Sequence, residues 1–283
     1  MKHDWRKNAF RRIVPGAIIP FFILLVWHLA SSGHGAVIPT VSEVVDVLTH
    51  PFRAPPNLDS KPLFDSLLIS VLRVITGYVL AGLTAVPLGI LMGRFTKARN
   101  FFWPVIEVLR PICPIAWLPI AIIVFGFSSF GSFFWGVGAW RHEFASQMQF
   151  AMVAVIWWGA FFPILLNTID GVKGVRLLYI EAARMLGANE WQIFRRVILP
   201  ASLPSVMTGM RVGMGIAWMV IIAAEIFPGT RAGLGYMITT AHQVAEYEYA
   251  FACIIIIGIL GFLITYFLKC ISDYVCRWQT KER

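Results

Sequence analysis

Residues 181–200 read EAARMLGANEWQIFRRVILP. They sit in a loop, 173–204, that mixes charges with apolar residues at helical spacing, between two long apolar runs. On a helix, Leu178, Ala182, Met185, Leu186 and Trp191 share one side, while Glu181 and Arg184 take the other. Ala182, Ala183 and Gly187 are small enough to let another surface approach the backbone. Ala188-Asn189-Glu190 reads as a helix break and restart, which predicts two short helices at an angle. Pro200 and Pro204 then close the loop. Such a segment is either a surface helix lying on a membrane or a docking knob for a cytoplasmic partner.

Outward from this loop the chain is apolar. Of 283 residues, 58% are hydrophobic and only 14% charged. A soluble domain carries about a quarter charged residues, so soluble, disordered and collagen-like classes are excluded. A membrane-crossing helix needs about 20 apolar residues, and six stretches approach that length: 13–30, 74–93, one from 101 past 126, one ending near 169, 205–224 and 249–268. The expected fold is an all-α integral membrane protein with about six transmembrane helices. Its parts are a basic N-terminus (1–12), a first, uncleaved span (13–30), an outer loop (31–65), a five-span core (66–270) and a tail (271–283). Within the core, the Gly-, Ser- and aromatic-rich stretch 127–148 reads as an outer interfacial or re-entrant insertion.

The net charge is +9, and most of the 24 Lys and Arg residues lie in segments that share one side of the bilayer. These are the N-terminus, the turn with Arg94, Lys97 and Arg99, the loop 173–204 and the tail. The other side receives only Arg53, Lys61, Arg141 and Arg231, whereas Arg73, Arg110 and Arg211 fall near span ends. This bias places both termini in the cytoplasm. It also assigns the positive charge to the membrane rather than to nucleic acid. The cysteines Cys113, Cys253, Cys270 and Cys276 form no CxxC pair, and His28, His34 and His242 stand alone, so no metal site is expected.

The spacing Glu181-Ala182-Ala183, three residues, Gly187, nine residues, Val197, one residue, Leu199-Pro200 resembles the EAA loop of ABC importer permeases, with Val197 in place of Ile. LRPICPIAWLPIAIIVFG (109–126), FFPILLNTIDGV (161–172), TGMRVGMGIAWMVIIAAE (208–225) and GTRAGLGYMI (229–238) are similar to the nitrate/sulfonate/taurine/bicarbonate branch, over roughly residues 65–270. The resemblance implies a type I importer permease fold in a bacterial inner membrane. It implies an EAA coupling helix, with Glu181, Ala182, Ala183, Leu186, Gly187, Leu199 and Pro200 meeting an ATP-binding subunit. It further implies a second permease copy, most simply a homodimer, and a periplasmic or lipid-anchored substrate-binding protein. The chain itself would bind no cofactor; ATP and Mg would be used by the partner ATPase. Consistent with that, the sequence contains no GxxxxGK[ST] motif.

A translocation path is harder to place. Pro104, Pro111, Pro114 and Pro119 free backbone carbonyls that only protein or a water-lined cavity satisfies. Arg110 and Arg211 either attract an anion or snorkel from span ends. Trp117 and Trp218 suit cavity walls and ordinary packing equally. Glu225, at membrane depth, is either functional or paired in an outer loop, for example with Arg231. The glycines Gly209, Gly213 and Gly215 suit close helix packing. A stand-alone secondary transporter or channel, and a membrane-embedded enzyme, remain the alternatives.

Overall fold

The computed structural model describes residues 19, 22–31, 38–126, 128–129, 147–227 and 230–278. The N-terminus 1–12 and nearly all of the 127–148 stretch lie outside the described residues, so the insertion expected there does too. In chain order the helices are α1 (Phe22–Ser31), α2 (Val41–Thr49), α3 (Leu63–Arg94), α4 (Thr96–Leu109) and α5 (Leu118–Phe125, entered through a 3-10 turn at Pro114–Trp117). They continue as α6 (Phe150–Lys173), α7 (Leu177–Met185), α8 (Glu190–Ile226), α9 (Leu234–Gln243) and α10 (Tyr247–Val275). Four of them, α3, α6, α8 and α10, are each long and apolar enough to cross a membrane.

The third apolar run is not one continuous span. It bends by 90° between Thr96–Leu109 and Pro114–Phe125, as a broken span or a re-entrant loop. Pro111 and Pro114, within four positions of each other, weaken a helix at this point, since each lacks an N–H and crowds the preceding turn. Two other boundaries also differ from the hydropathy runs. The helix containing 74–93 begins at Leu63, and the one containing 205–224 begins at Glu190.

The core is built around α6, which packs against α3 on one side and α8 on the other. A stripe of small residues at four-residue spacing, Gly77, Ala81, Ala85, Gly89 and Gly93, lets α3 lie directly on α6. A Cβ on Gly77 would meet Ile156 at 2.6 Å, and one on Gly89 would meet Thr168 at 2.6 Å. Both positions advance together, so α3 and α6 are parallel. On the other face Gly209 abuts Asn167 and Gly213 abuts Ile164, which makes α8 antiparallel to α6. Gly215, expected to share that role, faces open space instead. The C-termini of α3 and α6 and the N-terminus of α8 therefore share one end of the bundle, which carries Arg94, Lys173 and the loop 173–204.

Candidate functional site

At that basic end the chain forms a projecting knob. Helix α7 ends in a Schellman turn: Ala188 N–H donates to Ala183 O (3.0 Å) and Gly187 N–H to Arg184 O (2.9 Å). The turn requires a left-handed residue, and Gly187 supplies it at φ +81°. A Cβ there would meet nothing within 4 Å, so the glycine is required by backbone conformation rather than by crowding within the chain. Asn189 then caps α8 through a capping box with Gln192, both bonds 2.9 Å. The break and restart at 188–190 is thus present. Glu190 holds the two helices together, accepting from Arg184 at 2.7 Å and from Arg94 at the end of α3.

The knob exposes its apolar side. Met185 is 90% exposed and Leu186 88%, with Leu177, Leu178 and Trp191 also exposed. Glu181 and Ala182 are exposed, whereas Ala183 is half-buried and packs with Ile180 on the cluster around Val172, Ile193 and Ile198. Leu199 and Pro200 lie below the knob, where α8 passes through a π turn at Phe194–Ile198 and Leu199 N–H reaches back to Phe194 O. Because that turn does not interrupt the helix, the second half of the knob, from Glu190, and the span are one continuous helix of 37 residues.

A cavity of about 560 Å³ runs along α6 toward the same end. Gly159, Phe162, Pro163, Asn167 and Asp170 present one face of α6 to it. Arg110 and Pro114, from the bent α4–α5 connection, line it as well. Pro111 lies exposed in the same turn but does not line the cavity. A second cavity of about 510 Å³ is almost purely apolar and includes Trp117, Leu80 and Ile120. Trp117 packs against Trp158 with the rings tilted by 42° and centroids 4.6 Å apart, and Trp158 borders both cavities.

The remaining residues expected on a path lie elsewhere. Arg211 is half-buried in α8, and its neighbour Val212 faces the larger cavity instead. Trp218 is buried and donates its indole N–H to Ile257 O (3.2 Å), tying α8 to α10. Glu225 is fully buried inside the chain and pairs with Arg73, not Arg231, at 2.7 Å. Arg73 does not sit at a span end: it is fully buried in α3, and its guanidinium also donates to Gln147 O and Ala232 O. Ser70 Oγ lies 2.8 Å from Glu225 Oε2 and accepts Leu234 N–H, while Gly235 N–H donates to the same carboxylate at 3.1 Å. Every charge in this cluster is thereby satisfied. Asn167 and Asp170 went unmarked in the sequence, although their i, i+3 placement on one helix face is a readable signal. Among the described residues no group of three His, Cys, Asp or Glu side chains could hold a metal.

A family model for binding-protein-dependent transport system inner membrane components matches residues 85–279, which include the knob, the cavity and Glu225. The chain belongs to this family. This inner-membrane component is 32% identical to the nitrate import permease protein NrtB of Leptolyngbya laminosa, over 95% of this chain and 89% of that one. It is 30% identical to the taurine transport system permease protein TauC of Escherichia coli, over 97% and 93%. The bicarbonate transport system permease protein CmpB of Synechococcus elongatus is 31% identical over 96% and 92%. In fold the permease resembles a chain of the MetNI methionine ABC transporter in an inward-facing conformation, with TM-score 0.58, covering 75% of this chain and 95% of that chain at 16% identity. The type I importer permease fold and a multi-pass membrane location follow from these matches together with the apolar helices.

Proposed function

We propose that this permease carries a small anion such as nitrate, bicarbonate or a sulfonate inward by alternating access, driven by a separate ATPase that docks on the 177–191 knob. The observation that carries this reading is the knob itself. Met185, Leu186, Leu177 and Trp191 form an exposed apolar surface outside the spans, mounted rigidly on α8 and braced to α3 through Glu190. Unpartnered apolar surface of that kind marks an interaction site, and a rigid lever can pass motion from a docked subunit to the helices. Both termini lie on the cytoplasmic side in this reading, as the Lys and Arg bias requires. Two permease copies, two ATP-binding subunits and an external binding protein complete the importer. ATP and Mg act in the ATPase, not in this chain.

Arg110 lines the polar cavity and supplies a positive charge where an anion would pass. The lower half of α8 joins knob and cavity, because Val212 and Ile216 form part of the cavity wall. A shift of the docked ATPase would therefore change the cavity's shape directly, provided the ATPase binds the two conformations with different affinity. Uptake into proteoliposomes containing permease, ATPase and binding protein tests this reading. Accumulation of one of these anions only with ATP supports it; equal uptake by the permease alone, without ATP, would favour a channel or secondary transporter.

A further inference from the structure

Helix α4 carries two apolar stripes, and the core uses only one of them. Phe102, Ile106 and Leu109 pack on the bundle, whereas Phe101, Val105 and Val108, at the same spacing, are 75%, 55% and 69% exposed. The exposed stripe starts beside a group of cations. Gly93 abuts Val172, so the ends of α3 and α6 lie side by side and bring Arg94 and Lys173 to the start of α4. Lys173 lies over the Trp103 ring and Arg94 over the Phe95 ring, each 6.0 Å from the centroid. Lys97 and Arg99 follow within α4 itself. Of these four cations only Arg94 has an acidic partner among the described residues, Glu190. No Asp or Glu occurs between residues 91 and 106. Cations near a helix N-terminus oppose its dipole, so the arrangement gains from a bound anion.

We propose that this edge of α4 is a binding site for an anionic phospholipid of the inner leaflet, its phosphate on Lys97 and Arg99 and its acyl chains along Phe101, Val105 and Val108. An anionic lipid matches both halves of the patch, with negative charge at headgroup depth and hydrocarbon directly beside it. Trp103, between the two, suits the interfacial zone where indole rings settle. A free anion would answer the cations and leave the apolar stripe uncovered. A second permease copy packed here about a two-fold axis would set Lys97 and Arg99 against their own counterparts, an unfavourable like-charge contact. The site borders the knob through the Arg94–Glu190 pair, so its occupancy should steady the assembled complex. None of this depends on which solute the permease carries.

The test uses the permease with its ATP-binding subunit, delipidated in detergent and titrated with dioctanoyl phosphatidylglycerol, dioctanoyl phosphatidylcholine or inorganic phosphate, with the thermal midpoint as readout. The expected result is a saturable rise with phosphatidylglycerol at an apparent affinity about tenfold or more above that for phosphatidylcholine. Lys97→Gln/Arg99→Gln should remove most of that preference, and Phe101→Ser/Val105→Ser should weaken both lipids. Arg195→Gln/Arg196→Gln deletes the same charge from the same end of the bundle, on exposed side chains outside the patch, and should leave the preference within about twofold. Equal affinities for the two lipids, or a preference that survives Lys97→Gln/Arg99→Gln, would overturn the proposal. So would an equal loss in Arg195→Gln/Arg196→Gln, which would mean a diffuse field rather than a site. A midpoint rise with phosphate alone that depends on Lys97 and Arg99 would assign the cations to a soluble anion instead. Disulfide formation between two copies through Phe101→Cys, in a chain with the exposed Cys113 and Cys270 replaced by Ser, would assign the stripe to the second copy. ATP hydrolysis on the same preparation with binding protein added reports separately on the importer reading.

Discussion

Arg73 in α3 and Glu225 in α8 form a 2.7 Å ion pair with no solvent exposure on either side chain. The pair, with Ser70 and the backbone of Ala232, Leu234 and Gly235, ties α3 and the C-terminal end of α8 to the start of α9. Gly233, at φ +124°, lies against the carboxylate, and a Cβ there would collide with it. Removing one partner would leave an uncompensated charge in the protein interior. Arg73→Ala should therefore cost about 3–5 kcal/mol of stability. The expected readout is a large drop in detergent-solubilised, monodisperse protein and in its thermal midpoint. Arg73→Met combined with Glu225→Leu should recover much of that loss, since no unpaired charge remains. A single Arg73→Ala variant as stable as wild type would contradict the network's structural role.

The Schellman turn makes a prediction about Gly187 that differs from a crowding argument. Space is open around its α-carbon, so the cost of Gly187→Ala is the left-handed backbone, about 1–2 kcal/mol. Asn tolerates that conformation better. Transport coupled to ATP hydrolysis should fall with Gly187→Ala and recover substantially with Gly187→Asn. If Asn and Ala are equally damaging, the constraint lies in contact with the docked partner rather than in the turn.

Small residues on α3 set how closely it approaches α6. Gly89→Leu would force a side chain into Thr168, whereas Gly82→Leu points into open space. Overpacking of this kind costs about 1–3 kcal/mol. The first variant should lower the thermal midpoint measured by fluorescence-detected size exclusion, and the second should leave it nearly unchanged. Equal effects would mean that the two helices do not pack along this stripe.

Arg110→Ala removes the positive charge from the larger cavity without touching the core. Uptake of the transported ion should drop while assembly with the ATPase is retained, as judged by co-purification. Uptake at the wild-type rate would return Arg110 to the role of a snorkelling side chain.

How far the sequence reveals this arrangement depends on the range of the interactions. The knob is legible because its determinants are local: Gly187 for the left-handed turn, Asn189 with Gln192 for the restart, and apolar residues at helical spacing. The small-residue stripe from Gly77 to Gly93 is equally local and readable, yet spans identified by hydropathy alone pass over it. Pro111 and Pro114 mark a disturbance of the third run, but the 90° bend depends on how α4 and α5 pack, which proline chemistry alone does not fix. The partner of Glu225 is not legible at all. Arg73 is 152 positions away, and only the parallel and antiparallel packing of α3, α6 and α8 brings it there, ahead of the nearer Arg231. The same long-range packing brings Arg110 and Asp170 to one cavity.

The most direct measurement of the central claim is ATP hydrolysis by the ATP-binding subunit reconstituted with wild-type permease and with Met185→Asp/Leu186→Asp, each with and without the binding protein. Both substitutions fall on side chains that are about nine-tenths exposed, so folding and membrane insertion should be unaffected. The expected result is hydrolysis stimulated by the binding protein in the wild type and lost in the variant, together with loss of ATPase co-purification. Stimulation and co-purification unchanged in the variant would contradict docking through the knob.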